Sequence, residues 1–313
     1  MTQPTPPPAR ELPGIGPPLA GAALSGVLVV LIWWAFVTRY HGQALEALAL
    51  QGSHIGAWRI DAQADRLLST VSVPMVAAIL LTVLVIGILR GRWVAGVAAA
   101  VAVGGANVTT QVLKYRVFER DDLLRLGGWN GTNTLPSGHT TVAAAALVGL
   151  LLVVPPTLRS LTAVVGTLAV CAYGLATLVN QWHRPADVWA AILVSCGWGY
   201  LAVAAIRLAE RHGKLRDVRH SPSAASVLLV ALGICGVTLA IAAGYIVWDG
   251  DPTAADRMTG LIAYAGGVSA LVGVCAGGIG TLLRLLDATR PIPRARERVE
   301  LGGISTAQPS LPA

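Results

Sequence analysis

Charge is what this 313-residue sequence has least of: Asp, Glu, Lys and Arg make up 12% of it, about half the share of a soluble domain. The apolar residues, 54% of the chain, avoid the 3.6-residue stripe of a helix with one wet face and run instead in long blocks. A soluble globular fold is thereby excluded, and a polytopic membrane protein is indicated. The four cysteines, Cys171, Cys196, Cys235 and Cys275, lack metal-ligand spacing. All lie inside apolar blocks, away from any outer loop where an oxidising compartment would pair them, and they read as small apolar filler. No carboxylate cluster offers a Mg²⁺ or Zn²⁺ site. No basic stretch opens the chain, so its first apolar block reads as a retained anchor and not as a cleaved signal peptide.

Crossing the hydrocarbon core takes about 20 apolar residues per helix. Candidate spans lie near 19–38, 71–89, 93–113, 138–154, 160–180, 187–206, 225–248 and 259–283. The expected fold is all-α, a polytopic transmembrane helical bundle of about eight spans without β-sheet. Residues 1–18 and 286–313 read as disordered tails rich in Pro, Gly and Arg. Between them, 19–208 forms a six-span membrane domain, 209–224 a basic cytoplasmic loop, and 225–285 two additional transmembrane helices. The mixed stretch 39–70 accommodates an interfacial or amphipathic helix. "GGVSALVGVCAGG" in the last span has the small-xxx-small spacing of close helix packing.

The formal net charge of +7 could suggest nucleic acid, but its distribution points to topology. Spans joined by short loops alternate sides. The larger share of the Lys and Arg residues then falls with both termini, above all in 207–219 and 284–298. The positive-inside rule puts that side in the cytoplasm. The expected location is the plasma (inner) membrane, with the lipid bilayer as surroundings and no nucleic-acid partner. Of the nine cations on the other side, five cluster at 114–125 and 184.

Three polar groups fall on that outward side. In "LKYRVFERDDLLRL", Lys114 and Arg120 could aim at one anion, although interfacial cations commonly snorkel without function. In "TLPSGHTT", Ser137, Gly138 and His139 open the fourth span. A helix N-terminus there presents unpaired N–H groups to an anion, or the turn is only a cap. In "NQWHRPADVWAA", His183 and Asp187 are one helical turn apart. A carboxylate so placed can fix the imidazole tautomer and leave the other nitrogen as a base or nucleophile. Together these groups suit phosphoryl transfer, with cations for the charge, a nucleophile, and an acid for the leaving group.

Over roughly residues 71–208 the motifs resemble the type 2 phosphatidic acid phosphatase family, related to the vanadium haloperoxidases. That pattern is Lys, six residues, Arg-Pro; then Pro-Ser-Gly-His; then Ser-Arg, five residues, His, three residues, Asp. Pro136-Ser137-Gly138-His139 matches in full, and His183 and Asp187 match in the third motif. The resemblance implies that His183 attacks phosphorus to form a phosphohistidine, that Asp187 orients it, and that His139 protonates the leaving oxygen. It also implies that Lys114, Arg120, Ser137 and Gly138 hold the phosphate oxygens, without metal or other cofactor.

The sequence departs from the pattern in two places. Five residues separate Lys114 from Arg120, and Asp121 follows where Pro is expected. Ala176-Thr177 stand in place of Ser-Arg, and Arg184, Arg116 and Arg125 are the candidates to compensate. The expected activity is hydrolysis of a phosphomonoester or diphosphate on a membrane lipid, such as a polyprenyl diphosphate or phosphatidic acid, at a site facing outward. The alternative is a weak or inactive relative that binds or translocates lipid, or acts as a scaffold.

Overall fold

The computed structural model describes residues 14–55, 57–127, 131–210 and 222–288. The basic loop, apart from its ends, most of both expected tails, and Asn130, a possible glycosylation acceptor, lie outside the described residues. Within them every regular element is helical. Helix α1 (Gly16–Ile32) runs on through a π-helical turn to Val37, and α2 (Tyr40–Ser53) and α3 (Asp61–Leu68) follow. Then come α4 (Val73–Leu89), α5 (Trp93–Val112, extended by a π-helical turn Leu113–Val117) and α6 (Gly138–Val153). α7 (Pro156–Val179), α8 (Pro185–Glu210), α9 (Ala224–Ile246) and α10 (Arg257–Asp287) complete the bundle.

All eight apolar blocks are helices, but they differ in reach. Six helices, α1, α5, α7, α8, α9 and α10, are long and apolar enough to cross a membrane. A seventh is reached if α3 and α4, bent by 61° at their junction, count as one. α6 has 16 residues, about 24 Å of rise against a hydrocarbon core of about 30 Å. Its shortness has a local cause: residues 134–137 before it are buried, non-helical backbone, which protein, not lipid, must surround.

The starts and stops follow ordinary helix chemistry. Ser72, Ser137, Ser223 and Asp256 each accept a backbone N–H three residues on, and Pro stands in the first turn of α1, α4 and α7. α8 forms the centre, packed by α1, α5, α6 and α10. The main apolar core gathers around Val188, Ile192, Leu151, Leu152, Ile279 and Leu283.

Within 39–70, where an interfacial or amphipathic helix was expected, α3 keeps an exposed face and buries only Ala64 and Leu68, while α2 is built into the bundle. α2 lies against α10 and buries Gln43, Glu46, Gly52 and Ser53. The approach is so close that a Cβ on Gly52 would sit 2.0 Å from the Gly260 carbonyl oxygen. α9 and α10 meet in the same way, with a Cβ on Gly236 only 2.6 Å from the Ser269 carbonyl. α2 and the ends of α5, α7 and α9 therefore share one end of the bundle. Gln51 bonds the Pro252 carbonyl, and Gln181 bonds the Leu50 carbonyl.

Gly52→Ala is expected to force α2 off α10 and to destabilise the protein by about 1–3 kcal/mol. Gly104→Ala, where an added Cβ meets nothing within 4 Å, should leave the melting temperature unchanged or slightly raised. Thermal melts in detergent test the pair, and equal melting temperatures would show that the α2–α10 contact is not tight.

Candidate active site

At the shared end, the first turn of α8 holds a carboxylate with several donors. Asp187 is 2% exposed. Its Oδ2 accepts the Thr134 hydroxyl at 2.6 Å, the Arg184 backbone N–H at 2.9 Å and His183 Nδ1 at 3.1 Å. Its backbone carbonyl accepts the Ser137 N–H at 2.9 Å, so the start of α6 is pinned to the start of α8. An ionised carboxylate only accepts, so the contact with Asp187 calls for a proton on His183 Nδ1 and leaves Nε2 outside that bond.

The turn after α7 delivers His183 to that position. The Thr177 carbonyl accepts the N–H of Trp182 at 3.0 Å and of His183 at 3.3 Å. Gln181 takes a left-handed backbone, φ 55°, while its side chain donates to the Leu50 carbonyl at 2.8 Å and Ser53 Oγ at 3.2 Å. Ala176 and Thr177, which replace Ser-Arg, are buried inside α7. The Thr177 hydroxyl is spent on the Gly174 carbonyl.

The α6 start follows a cis Leu135–Pro136 bond. Ser137, fully buried, caps the helix by accepting the Thr140 N–H at 3.4 Å. A Cβ on Gly138 would meet only Gln111 Nε2, at the ordinary distance of 3.8 Å. The protein's own packing therefore gives no steric reason for glycine here, and the space in front of Gly138 is open. His139 is half-buried with its ring 5.4 Å from that of Trp182, within electrostatic reach of His183 and Lys114. Lys114 projects from the π-helical end of α5, its ammonium 5.6 Å from the Tyr115 ring centre. Asn133 ties the following loop to that end by donating to the carbonyls of Lys114 and Phe118, both at 3.0 Å.

Two expected phosphate ligands have other engagements. Arg184 is 1% exposed and donates to the Thr132 carbonyl at 3.1 Å and Thr134 Oγ1 at 3.0 Å. Arg120 Nη1 lies 3.0 Å from Glu46 Oε2, with the two side chains 3% and 2% exposed. The structure thus gathers Lys114, Ser137, Gly138, His139, His183 and Asp187 at one place, while Arg120 is turned to α2. A guanidinium so deeply buried requires an anion, and α2 supplies one.

Sequence reasoning missed Glu46, Gln43 and Thr134. Gln43 donates to the Val37 and Asp121 carbonyls, both at 2.7 Å, and fixes the segment that carries Arg120. Gln43 and Glu46 are three apart in the middle of "YHGQALEALALQGS", among Ala and Leu, hence on one helix face. That pair of polar residues was the signal. Burial pushes the Glu46 carboxyl up to about 7, against the opposing pull of Arg120 and Arg184 and with the Asp187 charge adding to the rise.

Residues 75–211 match the family model of the PAP2 superfamily. The similarity to that superfamily covers less than half of the chain. That similarity suggests a phosphatase of lipid-like phosphate esters, a phosphoric ester hydrolase in general. The gathered side chains from Lys114 to Asp187 all lie within the PAP2 segment, whereas Glu46 and the helices α1, α2, α3, α9 and α10 lie outside it. No curated protein and no solved structure matches the chain.

The raised Glu46 carboxyl has a consequence for stability. Between its ordinary value of 4.5 and about 7, the folded chain keeps a proton that the unfolded chain has released. This residue's contribution therefore makes the fold less stable as pH rises through that window. Thermal melts should show Glu46→Gln gaining stability relative to wild type from about pH 4.5 to about pH 7, and parallel curves would contradict it.

Proposed function

We propose that the protein is an integral-membrane, metal-independent lipid phosphate phosphatase, acting on a phosphomonoester or diphosphate of a membrane lipid. The observation that carries this reading is the His183–Asp187 pair, with its Oδ2 held by two further donors. A histidine with a fixed Nδ1 proton and an available Nε2 is equipped as a nucleophile. In the proposed reaction Nε2 attacks phosphorus, and an N–P bond forms as the P–O bond to the lipid, or to its terminal phosphate, breaks. His139 gives its proton to the departing oxygen. Water then attacks the phosphohistidine while His139 takes up the proton of the water, and the P–N bond breaks. Lys114 and the N–H groups at the start of α6 supply positive charge to the phosphoryl oxygens. The donors at this site are cations and N–H groups, suited to the phosphate itself more than to a metal ion.

A second reading has support in two observations. Thr177 stands where the family pattern has its arginine, and Arg120 is paired with Glu46. A relative that binds lipid phosphate with slow or no turnover would tolerate both. It would hold lipid phosphate without releasing phosphate, which separates the two readings.

Purified full-length protein in detergent is expected to release phosphate from a lipid phosphomonoester or diphosphate without added metal. His183→Ala should lower the rate by about 10³-fold or more; undiminished release would refute the phosphohistidine route. Gly138→Ala should leave the melting temperature intact and lower kcat/KM on the order of 10- to 100-fold by filling the open space. An unchanged kcat/KM would remove the cradle from the scheme.

The excess of Lys and Arg at the opposite end of the chain's spans supports an extracytoplasmic site with both termini in the cytoplasm. Asp249→Cys, at the site end, should react with a membrane-impermeant maleimide on intact cells. Pro222→Cys should react only after permeabilisation, with the parent chain as control, and the reverse pattern would invert the topology.

A further inference from the structure

Glu46 reaches Arg120 from outside the PAP2 segment. α2 carries it, and α2 is held in place by its close approach to α10 at Gly52 and Gly260. Glu46 Oε2 takes the contact with Arg120 at 3.0 Å, while Oε1 is buried and accepts no hydrogen bond. Arg184 and Asp187, at the start of α8, are the other charges that face it. Asp122, beside Arg120 in the chain, acts on Arg184, and Phe36, Trp189, Ala240 and Ala263, from α1, α8, α9 and α10, line an adjoining cavity of about 70 Å³. Tyr264 of α10 packs further along α2, at Gly52. A carboxylate in this position is short of a hydrogen bond and of solvent, and the charge of Arg120 sustains its anionic form.

Resting on the phosphatase reading above, we infer that Glu46 is a specificity-determining residue of the phosphate site. It is an internal anion that occupies Arg120 until a substrate phosphate displaces it, and it takes up one proton from solvent as it is displaced. A phosphoryl group offers a guanidinium several charged acceptors and bidentate geometry, whereas Glu46 presents one oxygen. Once Arg120 turns to the phosphate, an ionised Glu46 would be a buried charge beside Asp187 and the incoming anion. Protonation removes that penalty, the carboxylate and a proton from bulk water giving the carboxylic acid. Burial that already lifts this carboxyl to about 7 makes the step accessible near neutral pH. Above that value, the affinity for phosphate falls about tenfold for each pH unit. Glu46 thereby biases the site against highly charged phosphoryl groups at alkaline pH.

The test is calorimetric titration of inorganic phosphate into the full-length protein in detergent at about pH 8, in two buffers of different ionisation enthalpy. Lipid phosphate turnover is measured on the same preparations. Wild type is expected to take up close to one proton more per phosphate bound than Glu46→Gln, and its KM should rise more steeply with pH. If Glu46→Gln does not fold, Glu46→Ala, which leaves room for water at Arg120, serves in its place. Turnover with equal proton uptake in wild type and variant overturns the inference and leaves the phosphatase reading standing. A difference of one proton without turnover supports the inference and counts against hydrolysis. Failure of wild type to bind phosphate overturns the inference whatever the turnover.

Discussion

The Asp187 carboxylate is the contact on which the site end of the molecule depends. One oxygen takes hydrogen bonds from Thr134, His183 and the backbone of Arg184, and the residue's carbonyl takes the N–H that precedes α6. Two chain segments distant in sequence, the run from Thr134 to the α6 cap at Ser137 and the turn before α8, are thus fixed by one residue. A buried carboxylate is tolerated only when its acceptors are used. The need to satisfy that charge and the need to orient a histidine are met by the same bonds.

Around that hub the helices are positioned by size more than by polarity. In an apolar surrounding, lipid competes with side chains on equal terms, so helix association rests on close packing. α2, α9 and α10 approach through glycines, and the close fit at Gly52 brings Glu46 to Arg120. Helices outside the PAP2 segment therefore contribute an acidic group to its electrostatics. This arrangement gives α2 and α10 a part in the site that a six-helix description of the fold would leave out.

How much of this could be read beforehand varied with the physics involved. The apolar blocks marked the helices, because an uninterrupted run of such residues has few other solutions in a bilayer. The His183-x-x-x-Asp187 spacing placed both residues on one face, and the structure brings them to 3.1 Å. Thr134, by contrast, carried no signal, since a threonine in a loop is commonplace and its bond to Asp187 spans 53 residues. The reach of each apolar block was not legible in the same way: α6 has only 16 residues, and the turn before it is buried within protein.

The sequence by itself determined an all-helical, membrane-type chain, the order of its helices, and the local pairs and caps that depend on spacing along one helix. Those follow from periodicity and hydrophobicity, which are properties of neighbouring residues. Only the tertiary structure decided that α2 belongs to the bundle, that Arg120 faces Glu46, and that Arg184 serves the 132–134 loop. Those contacts join residues dozens of positions apart. They are settled by which backbones can approach closely enough and by which buried charges must be neutralised once they do.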